Sequence, residues 1–165
     1  MDRSKFKHKT SIKVRNYEVD WQGIVHNANY LLYCEVGRIE YLKHLGAIVD
    51  LQSINGHSKV VLVRNEIDYK APALFDQILD VYTRTSFIRN TSFAMESFIE
   101  NASTAELIAS NVAYHVWLDP LTGVPATVGT DFRKLIATFE GADCDIVWSP
   151  TSSITNQKSH NGKEN

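Results

Sequence analysis

The stretch YEVDWQGIVHNANYLLYCEVGRIEYLKHLG, residues 17–46, decides the fold. A strand-like segment turns at Gly23 and feeds a long helix, and the chain that follows has the pattern of a sheet built to wrap that helix. Asn27 is placed to cap the helix, its side-chain oxygen accepting from first-turn amides that have no carbonyl a turn behind them. Gly46 falls where a left-handed C-terminal cap is wanted. Between them Ala28, Leu32, Val36, Ile39, Leu42 and Leu45 recur every three or four residues, which predicts one buried stripe. Glu35 with Arg38 and Glu40 with Lys43 supply charge pairs on the rest of the surface. Each pair contributes about 0.3 kcal/mol, so burial of the stripe must dominate.

The 165 residues suit one domain, taken as residues 1–148, and are too few for two. From Ser149 onward the chain is Ser, Thr, Asn, Lys and His with almost nothing to bury, and residues 149–165 are expected to be a disordered tail. A formal net charge of -2 gives no electrostatic case for a nucleic-acid or membrane-surface partner. No apolar run approaches the ~18 residues of a membrane span, and Met1 to Lys9 is charged, so a cytoplasmic protein is expected. Cys34 lies inside the helix pattern and Cys144 beyond the last element, which makes free thiols the expected state.

Upstream of the helix, Ile12 and Val14 alternate with Lys13 and Arg15, predicting a first strand from Lys9 to Tyr17. Downstream, Val49 to Ser58 is a connection with Asn55-Gly56 as its turn. Strand two spans about Lys59 to Tyr69, with Val61, Val63, Ile67 and Tyr69 on one face, and Pro72 ends it. Strands three (Gln77 to Ile88), four (Ser92 to Glu100) and five (Thr104 to Leu118) follow with short turns between, the pattern of an antiparallel meander. In strand five both faces are apolar, so one can cover the helix and the other needs a cover, most simply a second subunit, or else the C-terminal helix of the same chain. Thr130 to Phe139 is a short terminal helix capped by Thr130 or Asp131.

The run Asp20-Trp21-Gln22-Gly23-Ile24-Val25-His26-Asn27-Ala28-Asn29-Tyr30 resembles the Asp-x-x-Gly-x-Val-x-x-x-Asn-Tyr signature of the hot-dog acyl-CoA thioesterases. The branch it resembles contains 4-hydroxybenzoyl-CoA thioesterase and the Tol-Pal-associated thioesterases. That resemblance implies an α+β hot-dog fold, an antiparallel sheet of about five strands curled around a long central helix. It implies dimers or homotetramers with the active site between subunits, and hydrolysis of an acyl-CoA to a carboxylic acid and free CoA with no metal or cofactor. The residue matching the family's carboxylate is Asp20, as nucleophile or as general base for water, and the matching oxyanion donor is the backbone N–H of Asn27. His26, Asn29, Tyr30 and Tyr69 are placed around the substrate by the same match. Many relatives carry His where this chain has Asn27, and Gly-Asp where it has Phe75-Asp76.

The chemistry asks for these residue types independently of any family. Thioester hydrolysis needs water or a nucleophile at the carbonyl and donors for the oxyanion that forms there. Asp20 can meet the first need, and the amides at a helix start can meet the second. Taken alone, an Asp before a Gly is a turn residue, and His26 in a short loop is a helix-start hydrogen bonder or a proton shuttle. Trp21, Tyr30 and Phe87 would suit an aryl or short acyl group. Coenzyme A carries phosphates, for which Arg64, Lys70, Arg84, Arg89 and Arg133 are the candidates. No Cys/His cluster at metal-ligand spacing, no phosphate-binding glycine loop and no Gly-x-Ser-x-Gly elbow occurs. The alternatives are a hot-dog dehydratase or hydratase and a non-catalytic acyl-CoA binding module.

Overall fold

The computed structural model describes residues 2–47 and 59–148. The predicted Val49–Ser58 connection, its Asn55-Gly56 turn and the tail 149–165 lie outside the described residues. Strand β1 (His8–Lys13) leads through a short 3-10 turn (Asn16–Glu18) to helix α1 (Asn27–His44). Strands β2 (Lys59–Tyr69), β3 (Ile78–Ile88), β4 (Ser92–Asn101) and β5 (Leu107–Leu118) follow, then helix α2 (Thr130–Glu140) and the two-residue strand β6 (Asp145–Ile146). The hot-dog architecture expected from the sequence is present: one sheet wraps α1.

The C-terminal cap of α1 forms as predicted. Gly46 has φ +86°, and the amides of Gly46 and Ala47 donate to the carbonyls of Lys43 and Leu42 at 2.9 and 3.0 Å, the paired bonds of a Schellman turn. At the other end the cap is His26, not Asn27. Its Nδ1 accepts the Ala28 N–H at 3.2 Å, and Asn27 is already the first helical residue.

The buried face of α1 is Tyr30, Tyr33, Cys34, Gly37, Arg38 and Tyr41, which corrects the aliphatic stripe. Leu32 is 60% exposed and Val36 40%. Gly37 explains the rotation: a Cβ there would lie 2.7 Å from Val81 Cγ1 and 2.8 Å from Thr83 Oγ1, so only a glycine lets α1 lie this close to β3. With that line of contact fixed, the flanking tyrosines reach past the helix backbone into the core. Leu32 and Val36 are left along its side.

The strand order is β1-β3-β4-β5-β2, with β6 pairing parallel to the far end of β3. The meander therefore covers β3 to β5, and β2 pairs antiparallel with β5 at the opposite edge instead of with β3. β1 is shorter than predicted: after Lys13 the chain leaves the ladder, Val14 N–H bonding to the Gln77 carbonyl at 2.9 Å. β5 starts later, because Ala105 adopts φ +55° in the preceding turn. A bulge between Leu62 and Arg64 shifts the register of β2, so Val61 opposite Val116 and Ile67 opposite Asn111 point to opposite sides of the sheet. The predicted single face of Val61, Val63, Ile67 and Tyr69 is broken there.

Two apolar clusters divide the core. One, with Tyr30, Tyr33, Val25, Ala73, Leu79 and Ile108, lies under the N-terminal half of α1, where the candidate site is. The other, with Tyr41, Phe93, Met95 and Ile136, is closed by α2. Helix α2 starts at Thr130 as predicted, but its cap position is Gly129, with no side-chain bond from Thr130 or Asp131. Buried Glu140 at its end accepts the Tyr41 hydroxyl at 2.5 Å and the Thr85 N–H at 3.0 Å. Cys34 and Cys144 are free and buried.

Candidate active site

The segment before α1 folds into a tight loop because three backbone contacts close it. Val19 and Val25 form an antiparallel bridge. Within it Asp20 N–H donates to the Ile24 carbonyl at 2.8 Å, and Gly23 N–H to the Asp20 carbonyl at 3.0 Å. Gly23 takes φ +78°, with open space where a Cβ would be, so the backbone conformation and not crowding selects glycine. The loop is tied to the end of β2 and its continuation: Ile24 bridges Leu74, and Val25 N–H donates to the Ala73 carbonyl at 2.9 Å.

The Asp20 carboxylate is oriented by its own turn, Oδ1 accepting the Gln22 N–H at 2.8 Å. Asp20 lines a cavity of about 700 Å³ together with Trp21, His26, Asn27, Tyr30, Tyr69 and Lys70. Asn27 N–H is the first amide of α1, with no carbonyl a turn behind it inside the helix, at the end where partial positive charge accumulates. One open cavity thus joins an acidic side chain to the N-terminus of the central helix. Such an arrangement can activate a water and stabilise an oxyanion.

The other predicted site residues divide. Tyr69 lies over the helix start, its hydroxyl donating to the Asn27 carbonyl at 3.1 Å. Its ring meets Tyr30 edge-on with centroids 5.3 Å apart. The buried Tyr30 hydroxyl accepts the Ala73 N–H at 3.1 Å. Burial pushes the Tyr30 phenol above its ordinary pKa, with the Ala73 bond opposing and Tyr69 and Asp20 adding to the rise. His26 borders the cavity while its Nδ1 is used in the cap. Asn29 does not line the cavity; its Nδ2 donates to the Glu18 carbonyl at 2.7 Å. Phe87 is far from it in the fold, packed beside Tyr114 and under the Arg89 guanidinium.

Of the five cations considered for phosphate, Lys70 lines the cavity. It also pairs with Asp68 at 3.2 Å on the surface. Arg84 is buried against Glu96 at 2.9 Å, Arg64 pairs with Glu66 at 2.7 Å, and Arg89 with Asp145 at 2.8 Å. Buried Arg133 donates to the carbonyls of Val128, Val147, Arg89 and Asn90, tying down the C-terminal segment. Among the described residues no group of His, Cys, Asp and Glu is arranged to hold a metal ion.

Glu18 has a structural role that the sequence reading passed over. Its buried carboxylate accepts the Arg15 N–H at 2.7 Å and the Tyr33 hydroxyl at 2.9 Å, and pairs with the Arg15 guanidinium at 2.8 Å. Burial raises its pKa, but these three partners outweigh it and hold the carboxyl below its ordinary value. The available signal was Arg15 three residues before Glu18, the spacing of a reciprocal turn cap.

A helix wrapped by an antiparallel sheet, with an open cavity at the helix start, defines a hot-dog domain. The chain belongs to the Thioesterase-like superfamily, whose model matches residues 14–136. It is 33% identical over 128 residues to the acyl-acyl carrier protein thioesterase ATL2 of Arabidopsis thaliana, covering 76% of this chain and 68% of that protein. It is 27% identical over 128 residues to the acyl-CoA thioester hydrolase YbgC of Escherichia coli, covering 74% of this chain and 93% of the relative. Among solved structures, a Thermus thermophilus thioesterase complexed with coenzyme A and Zn superposes with TM-score 0.72 at 30% identity. That match covers 83% of this chain and 96% of the other.

Proposed function

We propose that this chain is an acyl-CoA thioesterase, acting on a short-chain or aromatic acyl-CoA and releasing a carboxylic acid and free CoA. The observation that carries the reading is the meeting of Asp20 and the N-terminus of α1 in one open cavity. Water adds to the thioester carbonyl with Asp20 as its base, or Asp20 itself adds and water then cleaves the mixed anhydride. In both routes the carbonyl oxygen gains negative charge beside the Asn27 N–H, and the CoA sulfur leaves with the bonding pair and is protonated. Trp21, Tyr30 and Tyr69 give the cavity aromatic walls, which favours a flat or short acyl group over a long chain. Lys70 at its edge is the cation we assign to a CoA phosphate.

The working unit in this reading is a homo-oligomer, a dimer or tetramer. Leu32 and Val36 on α1 and Val60 and Leu62 on β2 are each at least 40% exposed. Apolar side chains on two elements favour burial against a second copy. A cytoplasmic location belongs to the same reading, since Cys34 and Cys144 are free thiols. Among the described residues no helix is long and apolar enough to cross a membrane. Thiol release from a panel of aryl, short and long acyl-CoA esters tests the function. The aryl and short esters should be hydrolysed fastest. A protein that binds them without releasing thiol, or that changes enoyl absorbance instead, is not the enzyme proposed.

A further inference from the structure

Asp20 and the Asn27 N–H sit on different elements, a loop and a helix, so their separation depends on whatever holds the loop against the helix. Glu18 does this from both ends. Its carboxylate, 5% exposed, accepts the Arg15 N–H and the Tyr33 hydroxyl, joining the turn before the loop to the second turn of α1. Its backbone carbonyl accepts the His26 N–H at 2.9 Å and Asn29 Nδ2 at 2.7 Å, joining the same residue to the start of α1. Asp20 lies two residues beyond one set of bonds, and Asn27 next to the other. Tyr33 is itself buried on the sheet-facing side of α1, so the anchor is part of the rigid core.

We infer that Glu18, acting with Tyr33, is a positioning residue that fixes the Asp20 carboxylate relative to the N-terminus of α1. This rests on the thioesterase reading for its consequence in rate, but the geometric coupling can be measured without it. A group that only supported folding would change stability and leave the chemical step alone. A positioning group changes kcat more than KM, because small displacements of a reacting group are costly in the transition state.

The test compares Glu18→Ala, Tyr33→Phe and the double variant by kcat, KM and the amide NMR resonances of Gln22 and Asn27. Alanine removes the acceptor of both the Arg15 N–H and the Tyr33 hydroxyl. Glu18→Ala should lower kcat roughly tenfold to a hundredfold and leave KM within about threefold, with both resonances displaced. Tyr33→Phe should lower kcat less, and the double variant should be no worse than Glu18→Ala, because both changes cut the Glu18–Tyr33 link. A Glu18→Ala enzyme with kcat within about twofold of the parent, or additive effects in the double variant, overturns the inference. If the parent hydrolyses no thioester, the enzymatic reading falls. Displaced Gln22 and Asn27 resonances would then still support the coupling, and unmoved ones would overturn it. Should Glu18→Ala fail to fold, Tyr33→Phe keeps the Arg15 pair and supports the same comparison.

Discussion

Acidification should destabilise the fold, most of all through His115. His115 lies on the inner face of β5, stacked on Phe93 with ring centroids 4.8 Å apart and 7% exposed. Its Nδ1 has no hydrogen-bond partner among the described residues. Burial pushes its pKa down from 6.5 to about 4, with the Arg38 charge adding to the fall while Glu35 and the Ala113 backbone oppose it. The unfolded chain takes up this proton near pH 6.5 and the folded chain does not until about pH 4. Stability from the neutral imidazole is therefore complete above pH 6.5 and is lost as pH falls through that window. The full difference corresponds to about 3 kcal/mol. Buried Glu140, whose pKa burial raises, works the other way, since its stability contribution falls as pH rises from its ordinary value toward its raised one. The comparison must therefore isolate His115. Urea unfolding of the parent and of His115→Phe across the window does so, because Glu140 is common to both. The parent should lose up to about 3 kcal/mol more than the variant on acidification. Two stability curves that stay parallel would refute the reasoning, as would an imidazole that titrates near 6.5 by NMR.

Two further outcomes follow from packing. Gly37→Ala forces a methyl against Val81 and Thr83 and should destabilise by about 1–3 kcal/mol. Calorimetry should show a fall in Tm of roughly 2–4 °C per kcal/mol, and an unchanged Tm would mean that α1 can move off β3. Leu32→Glu places a charge on the exposed side of α1 and should shift sedimentation toward the monomer, since burying a leucine contributes about 1.5–3 kcal/mol. An oligomer of unchanged size would exclude that face as its interface.

Much of the fold was legible because local chemistry and tertiary structure agree. Gly46 caps α1 where the sequence places it, and the limits of β2 match residue for residue. The misreadings have particular causes. Counting aliphatic side chains selected Leu32 and Val36, whereas the core side of α1 is set by Gly37 and filled by tyrosines whose rings bury and whose hydroxyls find partners. The pairing of β2 with β5 is a long-range choice that no turn signal encodes, and the bulge at Leu62–Arg64 defeats simple alternation. At the candidate site, Asp20, His26, Asn27, Tyr30 and Tyr69 line one cavity. Asn29 instead secures the loop, and of the Glu18 partners only Arg15 is near in sequence, while His26, Asn29 and Tyr33 reach it through the fold.

The most direct test is the turnover of Asp20→Asn against the best ester in the panel. Asparagine keeps an oxygen for the Gln22 N–H and is close in shape, so the variant should fold with an unchanged Tm. It should lose about a hundredfold or more in kcat, the scale for removing a positioned base or nucleophile. A folded Asp20→Asn protein that hydrolyses the ester at the parental rate would contradict the assignment of the chemistry to this carboxylate.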